Sequence, residues 1–322
     1  MNIRLLVRAA LGAALFVASA TSFGQAYPVK PVTVIIPFPP GATLDFVGRL
    51  LAQKLGDQLG QNFPVENRSG GGGTIGGSAV AKAQPDGYTL LFNASTFTTT
   101  PMTMSTPPYD VVKDFEPISL VALAPMAVAV RANLPVTDIK GLVAYAKANP
   151  GQVTFARGGA ASAGHLAAEL LKRATGIEYL IVPYKGSAPA YQDLAGGRID
   201  GFIDPILGPA AFVKAGKVKV LAVTSKARVP SMPDIPTVGE TVPGFEFHSW
   251  YGLWGPARLP KDIAQRLNTE VNKALATDDM RNKLLPQGLL LTPGSIEDFA
   301  RFQKDDMARS AKIIAEGGIR VE

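Results

Sequence analysis

The stretch from Val32 to Leu59, VTVIIPFPPGATLDFVGRLLAQKLGDQL, decides how the rest of the chain is interpreted. Val32 to Pro37 is a short apolar run rich in β-branched residues, which is typical of a strand buried on both faces. An amphipathic helix is predicted to follow, because apolar residues recur at helical spacing at Leu44, Val47, Leu51 and Leu55. Phe38 to Thr43 can continue neither element, so the carboxyl end of a strand meets the amino end of a helix there.

This junction is suited to an anion. The first turn of a helix leaves backbone N–H groups unpaired and carries the positive end of the helix dipole, so an oxyanion fits there without a charged side chain. Gly41 allows a ligand to approach the backbone, Thr43 can cap the helix or donate its hydroxyl, and Asp45 suits the dipole. An ordinary strand-to-helix connection explains the same residues, so the rest of the chain must decide.

The composition describes a globular exported protein. The chain has 322 residues, of which 47% are hydrophobic and 18% charged, which is enough for two domains and too apolar for disorder. Residues 1–26 place two arginines before an apolar run and predict a secretory signal peptide, cleaved after Ala20 or, as we prefer, after Ala26. No later stretch has the length of a membrane helix, so we expect a soluble periplasmic protein.

Several classes of partner are disfavoured by the residue counts. The chain has no Cys and only two His, so we expect no disulfide framework, no metal centre and no cofactor. The net charge of +6 falls by two when Arg4 and Arg8 leave with the signal peptide. The remaining bases are scattered among acids, which favours small anions over nucleic acid. We expect a monomer.

Two stretches after the first helix add polar and glycine-rich loops. Gly70 to Gly77 contains a weak GxGxxG match, which we interpret as a packing turn and not as a dinucleotide site. The strand Tyr88 to Phe92 runs into a hydroxyl-rich loop, whose candidate ligand contacts are Asn93, Ser95 and Thr96. Ligands of open α/β sheets gather outside the carboxyl ends of strands, so this loop is expected near Gly41. A polar surface loop is the competing explanation.

Two later stretches are predicted to connect two domains. Leu120 to Val130 is a long apolar strand followed by a loop and a helix, and Ser249 to Pro256 has the same organisation. We interpret them as paired hinge strands, with a second domain inserted into the first. The predicted boundaries are 27–127 and 249–322 for the first domain and 128–248 for the second.

The inserted part repeats the pattern of the opening loop. A predicted strand ends at Arg157, and a glycine turn then leads to Ser162 and a helix. Two such loops facing across a cleft can hold both ends of a dicarboxylate. His165 in the first turn is a candidate contact, although a packing or capping role is more common. Asp204, at the end of another strand, either contacts a ligand hydroxyl or amine or caps the next segment of the chain.

A secreted serine hydrolase is the alternative function. Ser162, Asp204 and His248 occur in the chain order of α/β-hydrolases, and residues 160–164 resemble a nucleophile elbow. Ala160 replaces the first glycine of that motif, and such an order arises by chance in chains of this length. We therefore rank the hydrolase well below a binding protein.

Nearly the whole mature chain resembles the Bug-type periplasmic solute receptors, the substrate-binding proteins of tripartite tricarboxylate transporters. The resemblance rests on segments in order: YPVKPVTVIIPFPPG, VENRSGGGGTIGG, QPDGYTLL, YDVVKDFEPISLVA, GHLAAELLKRATGIEYLIVPYKGSAPAYQDLAGGRID and VKVLAVTSKARVPSMPDIPTVGE. It implies a two-domain venus-flytrap fold of the α/β class, an exported receptor without catalysis, and a carboxylate held by backbone amides of one loop from each domain.

The resemblance assigns both loops residue by residue. The first loop falls on Pro40, Gly41, Ala42, Thr43, Leu44 and Asp45, and the second on Gly158, Gly159, Ala160, Ala161, Ser162 and His165. The chain departs from the family pattern at Ala42, Leu44, Arg157 and Ala161. Backbone donation survives these changes, whereas Leu44 adds bulk and Arg157 either supplies a bidentate cation for a distal carboxylate or lies in solvent.

The predicted function is therefore capture of one small organic acid by hinge closure and its delivery to membrane transporter subunits. We expect a dicarboxylate or an aromatic carboxylate, because four aromatic residues are candidates for the pocket wall or for the core: Phe38, Phe97, Tyr184 and Trp250.

Overall fold

The computed structural model describes residues 27–41 and 43–320. The predicted signal peptide and Ala42 lie outside the described residues. The strands are β1 (Thr33–Ile36), β2 (Val65–Asn67), β3 (Thr89–Ala94), β4 (Phe115–Arg131), β5 (Thr154–Arg157), β6 (Leu180–Pro183), β7 (Gly201–Pro205), β8 (Val218–Val223), β9 (His248–Pro256) and β10 (Leu290–Leu291). The α-helices are α1 (Thr43–Leu59), α2 (Thr74–Ala81), α3 (Thr96–Thr99), α4 (Ile139–Ala148), α5 (Ala163–Thr175), α6 (Ser187–Ala195), α7 (Ala210–Lys214), α8 (Lys261–Ala276), α9 (Asp278–Leu284) and α10 (Ile296–Glu316).

Two sets of parallel strands are joined by the long strand β4. In one set β1 lies between β2 and β3, and in the other β5 lies between β6 and β7. The amino-terminal part of β4, Phe115 to Pro125, pairs antiparallel with β9, whereas Met126 to Val130 pairs with β7. The strand thus passes from one set to the other between Pro125 and Met126. The predicted α/β class is confirmed.

The chain returns to the first set immediately before β9. The Phe247 N–H donates to the Thr224 carbonyl, 2.9 Å away, while the next residue, His248, pairs with Pro125 of β4. Both passages between the sets therefore lie side by side. The domain boundaries suggested by the sequence remain a prediction.

Helix α1 forms because its apolar face is buried as its spacing predicts. Leu44, Val47, Leu51 and Leu55 are all buried and pack with Val34 and Ile36 of β1, Phe92 of β3 and Leu267 of α8. Each buried Leu or Val side chain contributes about 1.5–3 kcal/mol relative to an exposed one. A second cluster joins β4, β5 and β7 to α5 through Val128, Phe155, Leu166, Leu171 and Ile203.

Helix α10 contacts β9, which pairs with β3 of the first set, and also the second cluster. Near its middle, Gln303 accepts a hydrogen bond from Trp254 Nε1 (2.8 Å). Ile313 and Ile314 near its end pack in the second cluster, where Arg173 of α5 donates to the Ile313 carbonyl (3.0 Å). This 21-residue helix is therefore a further connection between the two sets of strands.

In the described part of the chain, none of the helices combines the length and apolar character that a bilayer crossing requires.

Candidate functional site

The candidate site lies where the carboxyl ends of the parallel strands meet. A buried hydrogen bond joins the segment after β3 to the segment after β5: Thr99 Oγ1 donates to the Ala161 carbonyl, 2.8 Å away. The first loop follows β1, the strand next to β3, and the second loop contains Ala161 itself. The structure therefore brings the hydroxyl-rich segment against the second loop.

Asp45 holds the first loop from within. Its carboxylate accepts hydrogen bonds from the Gly41 N–H (3.0 Å), Arg49 Nε (2.9 Å) and Asn67 Nδ2 (2.9 Å), and Asn67 also donates to the Phe38 carbonyl (2.9 Å). Burial opposes ionisation, but these three donors outweigh it and lower the pKa of the Asp45 carboxyl. This geometry favours a positioning role for Asp45, and direct contact with a ligand remains a prediction.

The glycine-rich run supports the same loop from the outside. Gly70 to Gly73 all have positive φ, a conformation that side chains rarely adopt. A Cβ atom on Gly73 would lie 3.2 Å from the Phe38 ring, and one on Gly76 would lie 2.7 Å from Pro37. The run consequently packs against the first loop, which agrees with the interpretation of it as a packing turn.

The second loop is held by a neutral histidine and by the neighbouring segment. Ala161 is fully buried with φ of +50°, and its N–H donates to His165 Nδ1 (3.2 Å) while its carbonyl is held by Thr99. Ser162 caps α5 by accepting from the His165 N–H (3.3 Å). Burial and the charge of Arg157 lower the pKa of His165 to about 4, so its imidazole is neutral at neutral pH.

Arg157 carries an unpaired charge beside this loop. Within residues 27–41 and 43–320, its guanidinium makes neither an ion pair nor a hydrogen bond, although the side chain is partly buried. The backbone around it is fixed, since the Arg157 carbonyl accepts from the Tyr184 N–H (2.9 Å) and the Gly158 carbonyl from the Gly186 N–H (3.0 Å). The guanidinium is thus available to an anion, and its contact with a ligand remains a prediction.

Asp204 lies at the end of β7, buried among hydroxyl groups. Ser187 Oγ, in the first turn of α6, donates to Asp204 Oδ1 (2.9 Å), and the Tyr191 hydroxyl faces the same carboxyl outside ideal hydrogen-bond geometry. Burial raises the pKa of Asp204 to about 7, and the two hydroxyls only partly oppose this effect. Tyr251 of β9 is close enough that the Asp204 charge adds to burial in raising the tyrosine pKa.

The carboxyl end of β3 and the segment that follows it present two buried polar groups without partners among the described residues. Asn93 is 1% exposed, and its Oδ1 accepts from the Ala94 N–H (2.7 Å). Its Nδ2, like Thr96 Oγ1, has no hydrogen-bond partner among the residues that the structure describes. Ser95 Oγ lies 3.3 Å from Ser249 Oγ. Unpaired buried donors are costly, so Asn93 and Thr96 are the polar groups here that a ligand would best satisfy.

Two of the four aromatic candidates belong to the core. The Phe97 ring packs on Tyr109, Phe115 and Trp254, and Trp250 is fully buried with its Nε1 donating to Asp306 (2.9 Å). Phe38 and Tyr184 are partly exposed. Any aromatic wall is therefore smaller than the sequence suggested.

The hydrolase residues hydrogen-bond elsewhere. Ser162 Oγ accepts from the His165 backbone, Asp204 accepts from Ser187, and His248 Nδ1 lies 3.6 Å from Glu246. Within the described part of the chain, no hydrogen bond links any two of the three residues, so they are not arranged as a catalytic triad.

Sequence reasoning did not single out Asn67, Thr99, Ser187 or Tyr251. Asn67 and Ser187 had a usable signal, because each is a polar residue at the carboxyl end of a predicted strand or at the start of the next helix. Thr99 had none, because its partner is 62 residues away.

Comparisons with known proteins give the family. The family model described as tripartite tricarboxylate transporter family receptor matches residues 47–319. A solved Rhodopseudomonas palustris protein with adipate is 37% identical with a TM-score of 0.86, covering 91% of this chain and 99% of that one. The periplasmic binding protein BugD is 36% identical with a TM-score of 0.82, covering 92% and 100%. MatC from Rhodopseudomonas palustris with bound malate is 30% identical with a TM-score of 0.80, covering 89% and 100%.

These similarities extend over almost the full length of each chain, so the predicted periplasmic-binding-protein fold is confirmed. The chain belongs to the tripartite tricarboxylate transporter receptor family, the Bug-type periplasmic solute receptors.

Proposed function

We propose that this chain is a periplasmic receptor that captures a small dicarboxylate between two lobes and delivers it to a tripartite tricarboxylate-type membrane transporter. The observation that carries the proposal is the hydrogen bond between Thr99 and Ala161, which brings the loop segments after β3 and β5 together. Relatives with the same fold were solved with adipate and with malate, and both are dicarboxylates.

The second loop supplies the main anion site in this proposal. Helix α5 begins after Ser162, and its first-turn N–H groups and dipole favour a carboxylate. The partly buried Arg157 guanidinium adds a planar pair of donors, which matches a second carboxylate. The first loop offers fewer free donors, because the Gly41 N–H is already bonded to Asp45. Thr43, Asn93 and Thr96 provide neutral donors for the remaining ligand oxygens.

Hinge closure follows from the same arrangement. The two lobes would correspond to residues 27–127 with 249–322, and 128–248, and they would rotate about the adjacent passages at Pro125–Met126 and Phe247–His248. The ligand would stabilise the closed form, which the transporter subunits would recognise. We propose that the receptor works as a monomer, without a cofactor, nucleic acid or catalytic step.

Calorimetric titration of paired acids tests this function. Adipate should bind and hexanoate, of the same carbon length, should bind more weakly. Arg157→Ala should weaken adipate by about 10- to 100-fold, the effect of losing a charge-assisted pair worth about 1.5–3 kcal/mol, and hexanoate by much less. Arg281→Ala, an exposed residue of α9, serves as the matched control and should change neither affinity.

Three outcomes would contradict the proposal. Absence of binding by malate, adipate and other dicarboxylates would remove the receptor function as stated. An equal effect of Arg157→Ala on adipate and hexanoate would remove Arg157 from the distal carboxylate. Chemical conversion of the ligand during the titration would show an enzyme.

A further inference from the structure

Asp204 is a buried acid without a cationic partner in a cleft suited to anions. It is 8% exposed, and within the described residues it forms no ion pair with any Lys, Arg or His. Its contacts are the hydroxyls of Ser187 and Tyr191. A Cβ atom on Gly208 would lie 2.3 Å from Asp204 Oδ2, so the Gly208 backbone packs directly against this oxygen.

Asp204 lies close to residues of both proposed lobes. It pairs with Ala127 of β4, two residues beyond the passage at Pro125. Its hydroxyl partner Ser187 follows Gly186, whose N–H donates to the Gly158 carbonyl of the second loop. From the other lobe, Tyr251 of β9 is close enough that the Asp204 charge raises its pKa, and Thr43 of the first loop is near the Tyr251 hydroxyl. An anion held between the two loops would therefore face the Asp204 carboxyl.

Two negative charges that lie close together in a buried site repel each other strongly. When an anion enters beside an unpaired carboxylate, this repulsion is removed if the carboxyl binds a proton. The protonated acid can then donate a hydrogen bond to the ligand or to a hydroxyl. We propose that Asp204 binds one proton as the receptor takes up its dicarboxylate, so that anion and proton are captured together. This inference rests on the proposed function.

The surrounding groups leave Asp204 as the residue that titrates near neutrality. Burial first, and then Asp204 itself, raises the pKa values of Tyr191 and Tyr251 far above neutrality. On the second loop, burial and then the charge of Arg157 lower the pKa of His165 to about 4. On the first loop, the donors Arg49, Asn67 and Gly41 outweigh burial and lower the pKa of Asp45. Among these groups only Asp204, with a pKa of about 7, changes charge between pH 5.5 and pH 8.5.

Proton uptake by Asp204 makes the ligand affinity depend on pH. If the ligand raises the pKa of Asp204 above its value of about 7 in the free receptor, proton uptake occurs between the two values. Affinity should be nearly constant between about pH 6 and pH 7 and should fall above pH 7, by at most about tenfold for each pH unit.

Calorimetry in two buffers tests this on the unchanged protein. Adipate and malate are titrated at pH 6, 7.5 and 8.5 in HEPES-type and Tris-type buffers, whose different ionisation enthalpies reveal proton uptake. A net uptake approaching one proton at pH 7.5 to 8.5 is expected. Asp204→Asn should bind with the low-pH affinity at every pH and without proton uptake, whereas the exposed control Asp234→Asn should behave like the parent.

Failure of the role of Asp204 can be distinguished from failure of the proposed receptor function. Binding that is independent of pH, with no proton uptake, would overturn the role of Asp204 and leave the receptor function intact. Binding that weakens on acidification would overturn it too, because Asp204 would then act as an ionised acceptor for a ligand hydroxyl or amine. No binding of either acid at any pH would overturn the proposed function and this inference with it. If Asp204→Asn does not fold, the two-buffer result on the parent protein decides.

Discussion

The two loops that precede α1 and α5 have the same plan and are held in different ways. Each follows a strand, turns at glycine and opens a helix. The first loop is held inside its own set of strands by a charged residue, Asp45, whose partners Gly41, Arg49 and Asn67 all belong to that set. The second loop is held by a neutral histidine and by Thr99, which follows a strand of the other set.

This difference indicates which loop would change its geometry in the proposed hinge closure. In the proposed closure the first loop keeps its shape, because its supports lie in the same set of strands and move with it. The second loop has one support that crosses between the sets, so its geometry is coupled to their relative position. We expect perturbations of the first loop to act mainly on stability and perturbations of the Thr99 bond to act mainly on ligand affinity.

The largest expected effect is the acid sensitivity of the second loop. His165 has a pKa of about 4 in the folded chain against 6.5 in an unfolded one, so its contribution is complete above pH 6.5 and is lost as the pH falls towards 4. The full loss is about 3 kcal/mol. Asp204, with its pKa raised from 3.8 to about 7, acts in the opposite direction over much of this range.

The effect is therefore measured as a difference between variants. Urea unfolding of the parent and of His165→Gln at pH 7 and pH 4.5 should show that the parent loses more stability on acidification. Equal losses in the two proteins would mean that His165 does not support the loop as a neutral imidazole.

Removal of the first loop's support comes next. Asp45→Ala leaves the Gly41 N–H, Asn67 and the half-exposed Arg49 without their shared acceptor, so we expect a loss of about 2–3 kcal/mol in the free energy of unfolding. The exposed-side residue Asp57 of the same helix provides the control Asp57→Ala, which should cost under about 0.5 kcal/mol. Chemical denaturation measures both, and a similar cost for both would contradict the assigned role.

The bond between the sets is tested by a substitution that keeps its shape. Thr99→Val removes the hydroxyl and leaves the buried Ala161 carbonyl without that donor, which should cost about 1–2 kcal/mol. Ligand affinity should fall by a comparable amount, whereas Asp45→Ala should lower stability more than affinity. Thr103→Val removes a buried hydroxyl that bonds only within its own turn and is the matched control. If Thr99→Val left the ligand affinity unchanged, the bond between Thr99 and Ala161 would not couple ligand binding to the relative position of the two sets.

The smallest expected effect is at the left-handed residue of the second loop. Ala161→Gly removes about 1 kcal/mol of backbone strain at φ +50°, but it also loses a buried methyl worth about 0.8 kcal/mol and adds freedom to the unfolded chain. The free energy of unfolding, measured by thermal unfolding, should therefore change by less than about 0.5 kcal/mol. A gain of more than about 1 kcal/mol would mean that Ala161 stores more strain than its φ indicates.

The sequence predicted those features that are determined by residues close together in the chain. The strand, turn and helix from Val32 to Leu59 follow from apolar spacing, and the buried Leu44, Val47, Leu51 and Leu55 agree with it. The cap by Ser162 is likewise local, since its hydroxyl reaches only to His165. Long apolar β4 was visible because a strand buried on both faces has a continuous apolar run.

Features set by distant partners were not visible. Asp45 has the sequence signature of a helix-start acid, and only the fold places Asn67 against it. Phe97 and Trp250 could belong to the core or to a pocket, and packing against Tyr109, Phe115, Phe299 and Asp306 decides for the core. The contacts of α10 with β9 and with α5 depend on Trp254 and Arg173, which lie far away in the sequence.

The central claim is that a dicarboxylate is gripped between the two loops, with the amino end of α5 and Arg157 as its main anion site. A crystal structure with adipate or malate tests it most directly. We predict one carboxylate within hydrogen-bond distance of the first-turn N–H groups of α5 and the other within reach of the Arg157 guanidinium. A ligand bound away from Ser162, Arg157 and Thr43 would contradict the account.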